Sequence, residues 1–199
     1  MSGAGQPRIG LLGGTFDPVH RGHLAAAATV RDALELDRVL LVVANEPWQK
    51  EGTRPITPAA DRYAMVEVAV AGLDGIEASP LEIDRGGTSY TVDTVEELRA
   101  THPEARLYLI VGEDVAGELG TWHRSDELAR LVELVVVTRA GAPSTPAPPG
   151  WRATLVPMPP VPESSTEIRR RIAAGEPVAG VPAAAMRYIE ERGLYAGSG

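Results

Sequence analysis

The hydrophobic positions of this chain follow two alternating rhythms. Residues 8–12 form a short apolar run ending in Gly13-Gly14, the pattern of a buried strand entering a tight turn. From 20 to about 36 the chain is Ala-rich, with Leu24, Ala27, Val30 and Leu34 recurring at helical spacing, which predicts an amphipathic helix. Residues 39–43 are continuously apolar and rich in β-branched side chains, as in a central parallel strand. Thr57-Pro58 supplies an N-cap and a first-turn proline for a helix to about 71. The pattern then predicts an extended segment over 76–83, a helix over 92–102, and buried strands at 107–111 and 134–138. Ser125 caps a short helix between those two strands. Ser164 and Glu167 have capping-box spacing at the head of a further helix, which Gly175 stops. A last helix covers about 182–192 and ends at Gly193.

Strands alternating with helices predict an α/β protein, a Rossmann-like doubly wound parallel sheet with helices on both faces. In such sheets ligands sit beyond the carboxyl ends of the strands. The length of 199 residues suits a single domain over 1–199, with its core from about 8 to 195. Residues 140–150 are all Ala, Gly, Pro, Ser or Thr, and eight of the 17 prolines fall between 143 and 162. The segment 140–163 therefore reads as a flexible, Pro-rich surface loop within that domain.

Composition narrows the function. Lys and Arg number 19 against 27 Asp and Glu, a net charge of −8. Such a chain makes a poor sequence-independent binder of nucleic acid, whose phosphates demand a basic surface. No stretch approaches the roughly 18 apolar residues of a membrane span, and the start lacks the pattern of a signal peptide. Cysteine is absent, which excludes thiol nucleophiles, disulfides and thiolate metal sites. These features predict a cytoplasmic protein. The charge is uneven: residues 1–60 hold 6 basic and 6 acidic side chains, 61–133 hold 6 and 16, and 134–199 hold 7 and 5.

The outer segments carry the phosphate chemistry. The first strand feeds Gly13-Gly14-Thr15-Phe16-Asp17-Pro18-Val19-His20-Arg21-Gly22-His23. Glycines let a ligand approach the backbone, and the following helix offers free N–H groups and a positive dipole end. His20 and His23 share one face of its first turn, and Gly22 between them leaves that surface bare. A second helix N-terminus, Ser164-Ser165-Thr166-Glu167-Ile168-Arg169, adds hydroxyls and a guanidinium, again favouring anions.

The first segment resembles the G-[TS]-F-D-P-x-H-x-G-H signature of the nucleotidyltransferase superfamily, and the second its S-[ST]-T-x-I-R signature. The resemblance implies catalytic roles for His20, His23 and Arg169 on developing phosphate charge. It implies ATP contacts from Gly13, Gly14, Thr15, Phe16, Gly22, Ser165, Thr166 and Ile168, while Arg170 and Arg171 are expected at the surface. The apolar residue usual before the serines is Glu163 here.

Three further segments, 87–94, 111–114 and 121–124, resemble the bacterial nicotinate-mononucleotide adenylyltransferase family. That resemblance implies that Trp122 stacks on a pyridine ring, that Thr88, Ser89 and Tyr90 recognise its carboxylate, and that Asp114 holds the ribose. The 45–50 loop is similar to the family's N-x-x-P-x-x-K loop, which implies mononucleotide contacts from Asn45 and Lys50. Trp48 and Gln49 replace the usual Pro-His pair. The implied partners are ATP and nicotinate mononucleotide, with Mg²⁺ arriving on ATP and no dedicated protein ligands for the metal. A homo-oligomer stays open. So do other acceptors, nicotinamide mononucleotide or phosphopantetheine, and a non-catalytic nucleotide sensor.

Overall fold

The computed structural model describes residues 5–48, 55–139 and 148–197. Its framework is one six-stranded sheet in which every pairing is parallel. The strands are β1 (Arg8–Gly14), β2 (Arg38–Val43), β3 (Ile76–Ser79), β4 (Arg106–Gly112), β5 (Glu133–Arg139) and β6 (Ala153–Met158). Their spatial order is β3-β2-β1-β4-β5-β6. The chain winds outward from β1 in both directions, so the topological switch point lies between β1 and β4.

The central strands are apolar on both sides because both sides are covered. One face gathers Leu12, Val39, Leu41, Val43 and Ile110 with Ala27 and Val30 of α1 (Arg21–Ala33) and Met65 and Val66 of α2 (Ala59–Val70). Ile168 of α7 (Ser165–Ala173) and Ile189 of α8 (Ala183–Arg192) join that core. The other face gathers Leu11, Leu40, Val42 and Leu109 with Val95 and Leu98 of α4 (Thr91–Thr101) and Leu128 of α6 (Ser125–Leu131). Two short helices complete the fold, α3 (Leu81–Arg85) and α5 (Glu113–Ala116). The doubly wound expectation holds.

Local expectations are corrected, beginning with α2, which starts at Ala59 with Pro58 rather than Thr57 as its N-cap. The extended segment expected over 76–83 stops at Ser79, and α3 begins directly after Pro80. The loop expected over 140–163 contains strand β6. Proline density hid it: Pro157 lies inside the strand, tolerated because β6 is an edge that pairs only with β5. Its apolar stretch, Leu155 to Met158, is short and interrupted by that proline, and only Val156 of the strand is buried. Residues 140–147 of that loop lie outside the described ones.

Ser125, expected as a cap, is the first residue of α6, where its hydroxyl donates to the Leu119 carbonyl at 2.7 Å. Ser164 does cap α7, accepting the Glu167 N–H at 3.2 Å. Glu167 does not return the bond; its carboxylate pairs with Arg170 and Arg171.

Candidate active site

A cleft of about 750 Å³ opens beyond the carboxyl ends of β1 and β4. Its floor is the strand ends themselves, Leu12 to Gly14 and Leu109 to Gly112. One end is bounded by Thr15, Phe16 and His23 together with Ser165, Thr166 and Arg169. Ser89, Thr91, Trp122, Trp48 and Glu82 line the remainder.

At the first end, two helix N-termini meet because hydrogen bonds tie them to one loop. Ser165 Oγ donates to the Pro18 carbonyl at 2.9 Å, and Arg169 Nη1 donates to the Asp17 carbonyl at 2.6 Å. Arg169 Nη2 also reaches Thr166 Oγ1 at 3.2 Å. Asp17 is anchored from the far end of the chain, accepting from Tyr195 Oη at 2.6 Å, and burial pushes that phenol's pKa up. Phe16 is 2 % exposed and sets its ring edge against His23, with centroids 4.9 Å apart. Gly14 makes this possible, since a Cβ there would lie 3.0 Å from the Phe16 ring.

The two histidines are not equivalent. Their rings stack at 3.7 Å. His23 Nδ1 accepts the His20 backbone N–H at 3.2 Å, which leaves the neutral ring's proton on Nε2. Burial, reinforced by His20, lowers the His23 pKa to about 3. Burial also lowers His20, to about 4, against an opposing pull from Glu163. Both rings are therefore neutral near pH 7. His20 Nδ1 is buried and has no hydrogen-bond partner among the described residues.

Gly22 does not leave the helix surface open, as its spacing suggested. A Cβ there would sit 3.0 Å from the His20 ring and 3.4 Å from Val161, so those groups cover the bare turn. Ile168 is 2 % exposed, and its side chain packs in the core rather than lining the cleft. Arg170 and Arg171 are at the surface, paired with Glu167 and, for Arg170, Glu176.

At the other end, loops zip together. The Asn45 N–H donates to Ser89 Oγ at 2.8 Å, its side-chain amide donates to the Gly87 carbonyl at 2.9 Å, and the Ser89 N–H donates to the Glu46 carbonyl at 3.0 Å. A bridge between Glu46 and Thr88 continues the parallel pairing beyond β2. Asn45 and Ser89 thus hold the loop that leads into α4, whose first residue, Thr91, lines the cleft.

Trp122 lines the cleft half-buried, and its indole N–H is buried with no partner among the described residues. Tyr90 packs on His123, with ring centroids 4.3 Å apart. Thr88 and Asp114 are exposed, and neither is among the residues lining the cleft. Lys50 lies outside the described residues.

Sequence reasoning missed Arg62. It is 1 % exposed on α2 and donates to the carbonyls of Thr57 at 2.8 Å, Thr15 at 2.9 Å and Asn45 at 2.9 Å. One guanidinium thereby braces a loop from each end of the cleft. A signal existed: Arg62 falls on the same helical stripe as Met65, Val66 and Ala69, where a charge is out of place. Glu82 was missed too; it is buried at the cleft wall and accepts from Thr94 Oγ1 at 2.7 Å.

Over residues 11–171 the chain matches the cytidylyltransferase-like family model. It is 43 % identical to a probable nicotinate-nucleotide adenylyltransferase of Corynebacterium kroppenstedtii, over 97 % of this chain and 93 % of that one. A protein of the same description from Thermus thermophilus is 46 % identical, over 94 % and 99 %. In fold, the chain is similar to the nicotinic acid mononucleotide adenylyltransferase of Plasmodium falciparum, solved in complex with NaAD. The TM-score is 0.78 at 16 % identity, covering 95 % of this chain and 97 % of that one.

Proposed function

Because the chain belongs to the nicotinate-nucleotide adenylyltransferase family, we propose that its cleft joins ATP to nicotinate mononucleotide, giving deamido-NAD and pyrophosphate. A phosphate oxygen of the mononucleotide attacks the α-phosphorus of ATP in line. The bond to the β-phosphate oxygen breaks, and its electron pair leaves with pyrophosphate. The attacking oxygen is already anionic, so the reaction needs no covalent enzyme intermediate. Catalysis rests on positioning and on donors aimed at developing charge.

The observation that carries this reading is the meeting of His23, Thr166 and Arg169, from two helix N-termini, at one end of the cleft that Trp122 and Ser89 also line. The first group suits a triphosphate. His23 donates from Nε2, the nitrogen left protonated by its backbone bond, and Arg169 supplies fixed positive charge. Gly13, Gly14 and Thr15 let the nucleotide lie against β1. Mg²⁺ enters as part of the MgATP substrate, held chiefly by the phosphates and water.

At the acceptor end, the flat indole of Trp122 suits a cationic pyridinium. The nicotinate carboxylate suits the head of α4, with Ser89 and Asn45 fixing that loop rather than reaching the ligand themselves. The deciding assay offers ATP with nicotinate mononucleotide, nicotinamide mononucleotide or phosphopantetheine and scores pyrophosphate. Turnover is expected first with the nicotinate acceptor. Release with none of the three would sink the reading.

A further inference from the structure

The chain beyond α8 folds back toward the end of the cleft formed by His23, Thr166 and Arg169, and two left-handed residues turn it. Gly193, at φ +61, closes α8, its N–H on the Glu190 carbonyl at 3.2 Å and the Leu194 N–H on that of Ile189 at 3.0 Å. Tyr195 follows at φ +62, a conformation that disfavours any residue with a Cβ and persists only where its surroundings hold it. Its phenol supplies that hold. Tyr195 Oη donates to Asp17 Oδ1 at 2.6 Å and lies 3.9 Å from Met65 Sδ of α2. Burial, and after it the bond to Asp17, push the phenol's pKa up, so the hydroxyl stays a donor. The helix before it is fixed to α2 as well, since Asp61 accepts from Tyr188 Oη at 2.8 Å and from Arg192 Nη2 at 3.1 Å.

Asp17 is 2 % exposed and lines the cleft, and a carboxylate so placed requires donors. Its loop is also held against backbone preference, because Phe16 sits at φ +49. Three carbonyls of that loop are caught by three other side chains. Arg62 Nη1 donates to Thr15 at 2.9 Å, Arg169 Nη1 to Asp17 at 2.6 Å, and Ser165 Oγ to Pro18 at 2.9 Å. Arg169 is thus aimed by a main-chain oxygen. The carboxylate and carbonyl of Asp17 hang from one Cα, so a bond that fixes the first restricts rotation of the second. Arg169 Nη2, on Thr166 Oγ1 at 3.2 Å, completes the sequence of contacts at the head of α7.

We propose that Tyr195 is a positioning residue for Arg169, acting through Asp17: the phenol fixes the carboxylate, and the carbonyl of the same residue aims the guanidinium at the triphosphate. The chain after the last helix thereby completes the nucleotide site without lining it. The proposal rests on the reading of that end of the cleft as the triphosphate site, and not on which acceptor is used.

The test is binding of α,β-methylene ATP by calorimetry in a double-mutant cycle. Y195F should weaken it about five- to tenfold in the wild-type background and less than about twofold in R169A. A merely structural tyrosine would weaken both backgrounds alike, and that result overturns the proposal, as does unchanged binding in Y195F. Binding of nicotinate mononucleotide alone should differ by less than about twofold between Y195F and wild type; an equal loss for both ligands also overturns it. A second pair keeps the idea testable should Y195F fail to fold. D17N and D17A both lack the charge, but only D17N keeps an acceptor for the phenol. D17A should bind the analogue about fivefold more weakly than D17N, and equal affinities overturn the relay. An enzyme that turns over none of the three acceptors yet shows the Tyr195–Arg169 coupling would count against the proposed reaction alone.

Discussion

Replacing Arg62 with Met tests whether one buried guanidinium sets the spacing of the two substrate loops. Met keeps most of the length and apolar bulk but removes the donors to Thr57, Thr15 and Asn45. Hydrogen bonds from a charged group contribute roughly 1.5–3 kcal/mol each, so three such bonds amount to about 4.5–9 kcal/mol gross. Relief from burying a cation that is 1 % exposed offsets several kcal/mol of that. The net loss should be about 2–4 kcal/mol, read by urea unfolding from a shifted midpoint at unchanged slope.

The functional signature is more specific than the stability loss. Thr15 lies at the proposed triphosphate end and Asn45 holds the acceptor loop, so releasing both carbonyls should raise KM for ATP and for the mononucleotide together. An ordinary core substitution would lower stability without touching both. Stability within about 0.5 kcal/mol of wild type, or a rise in only one KM, would refute the bracing role.

Three further outcomes follow from the same site. His23→Ala should cut kcat by about a hundredfold or more with a much smaller change in nucleotide affinity; equal kcat in variant and wild type removes it from the chemistry. Trp122→Ala should raise KM for the mononucleotide and leave that for ATP nearly unchanged, and the opposite pattern would misplace the acceptor. Acid should destabilise the protein early. His20 and His23 are depressed to about 4 and 3, below the ordinary 6.5, so stability is full above pH 6.5 and falls as pH drops and the unfolded chain takes up protons the folded one refuses. The loss is up to about 2 kcal/mol per histidine at pH 5, so His23→Asn should flatten the slope of unfolding free energy between pH 6.5 and 5. A slope equal to wild type would contradict the buried neutral ring.

Much of this molecule is legible in one dimension. The apolar run at 8–12, the Ala-rich helix behind it and the continuous strand at 39–43 each follow from nearest-neighbour periodicity, and together they dictate a parallel sheet. The two histidine- and arginine-bearing helix starts are local as well, because cap residues and a Gly-rich turn act within a few positions of each other. Partners brought from far along the chain were decided only by the tertiary structure. Edge strand β6 is obscured in the sequence by the prolines in and around 153–158 and is revealed by the ladder that β5 offers it. Asn45 and Ser89 became loop fasteners because β2 and the approach to α4 end side by side. Arg62 and Tyr195 gained their roles from carbonyls and a carboxylate that lie beyond the reach of local spacing. Residue type and spacing thus determined which chemistry the chain carries. Burial and long-range contact decided the protonation of each histidine and which polar groups brace the cleft rather than face it, since solvation and partner distance exist only in the folded molecule.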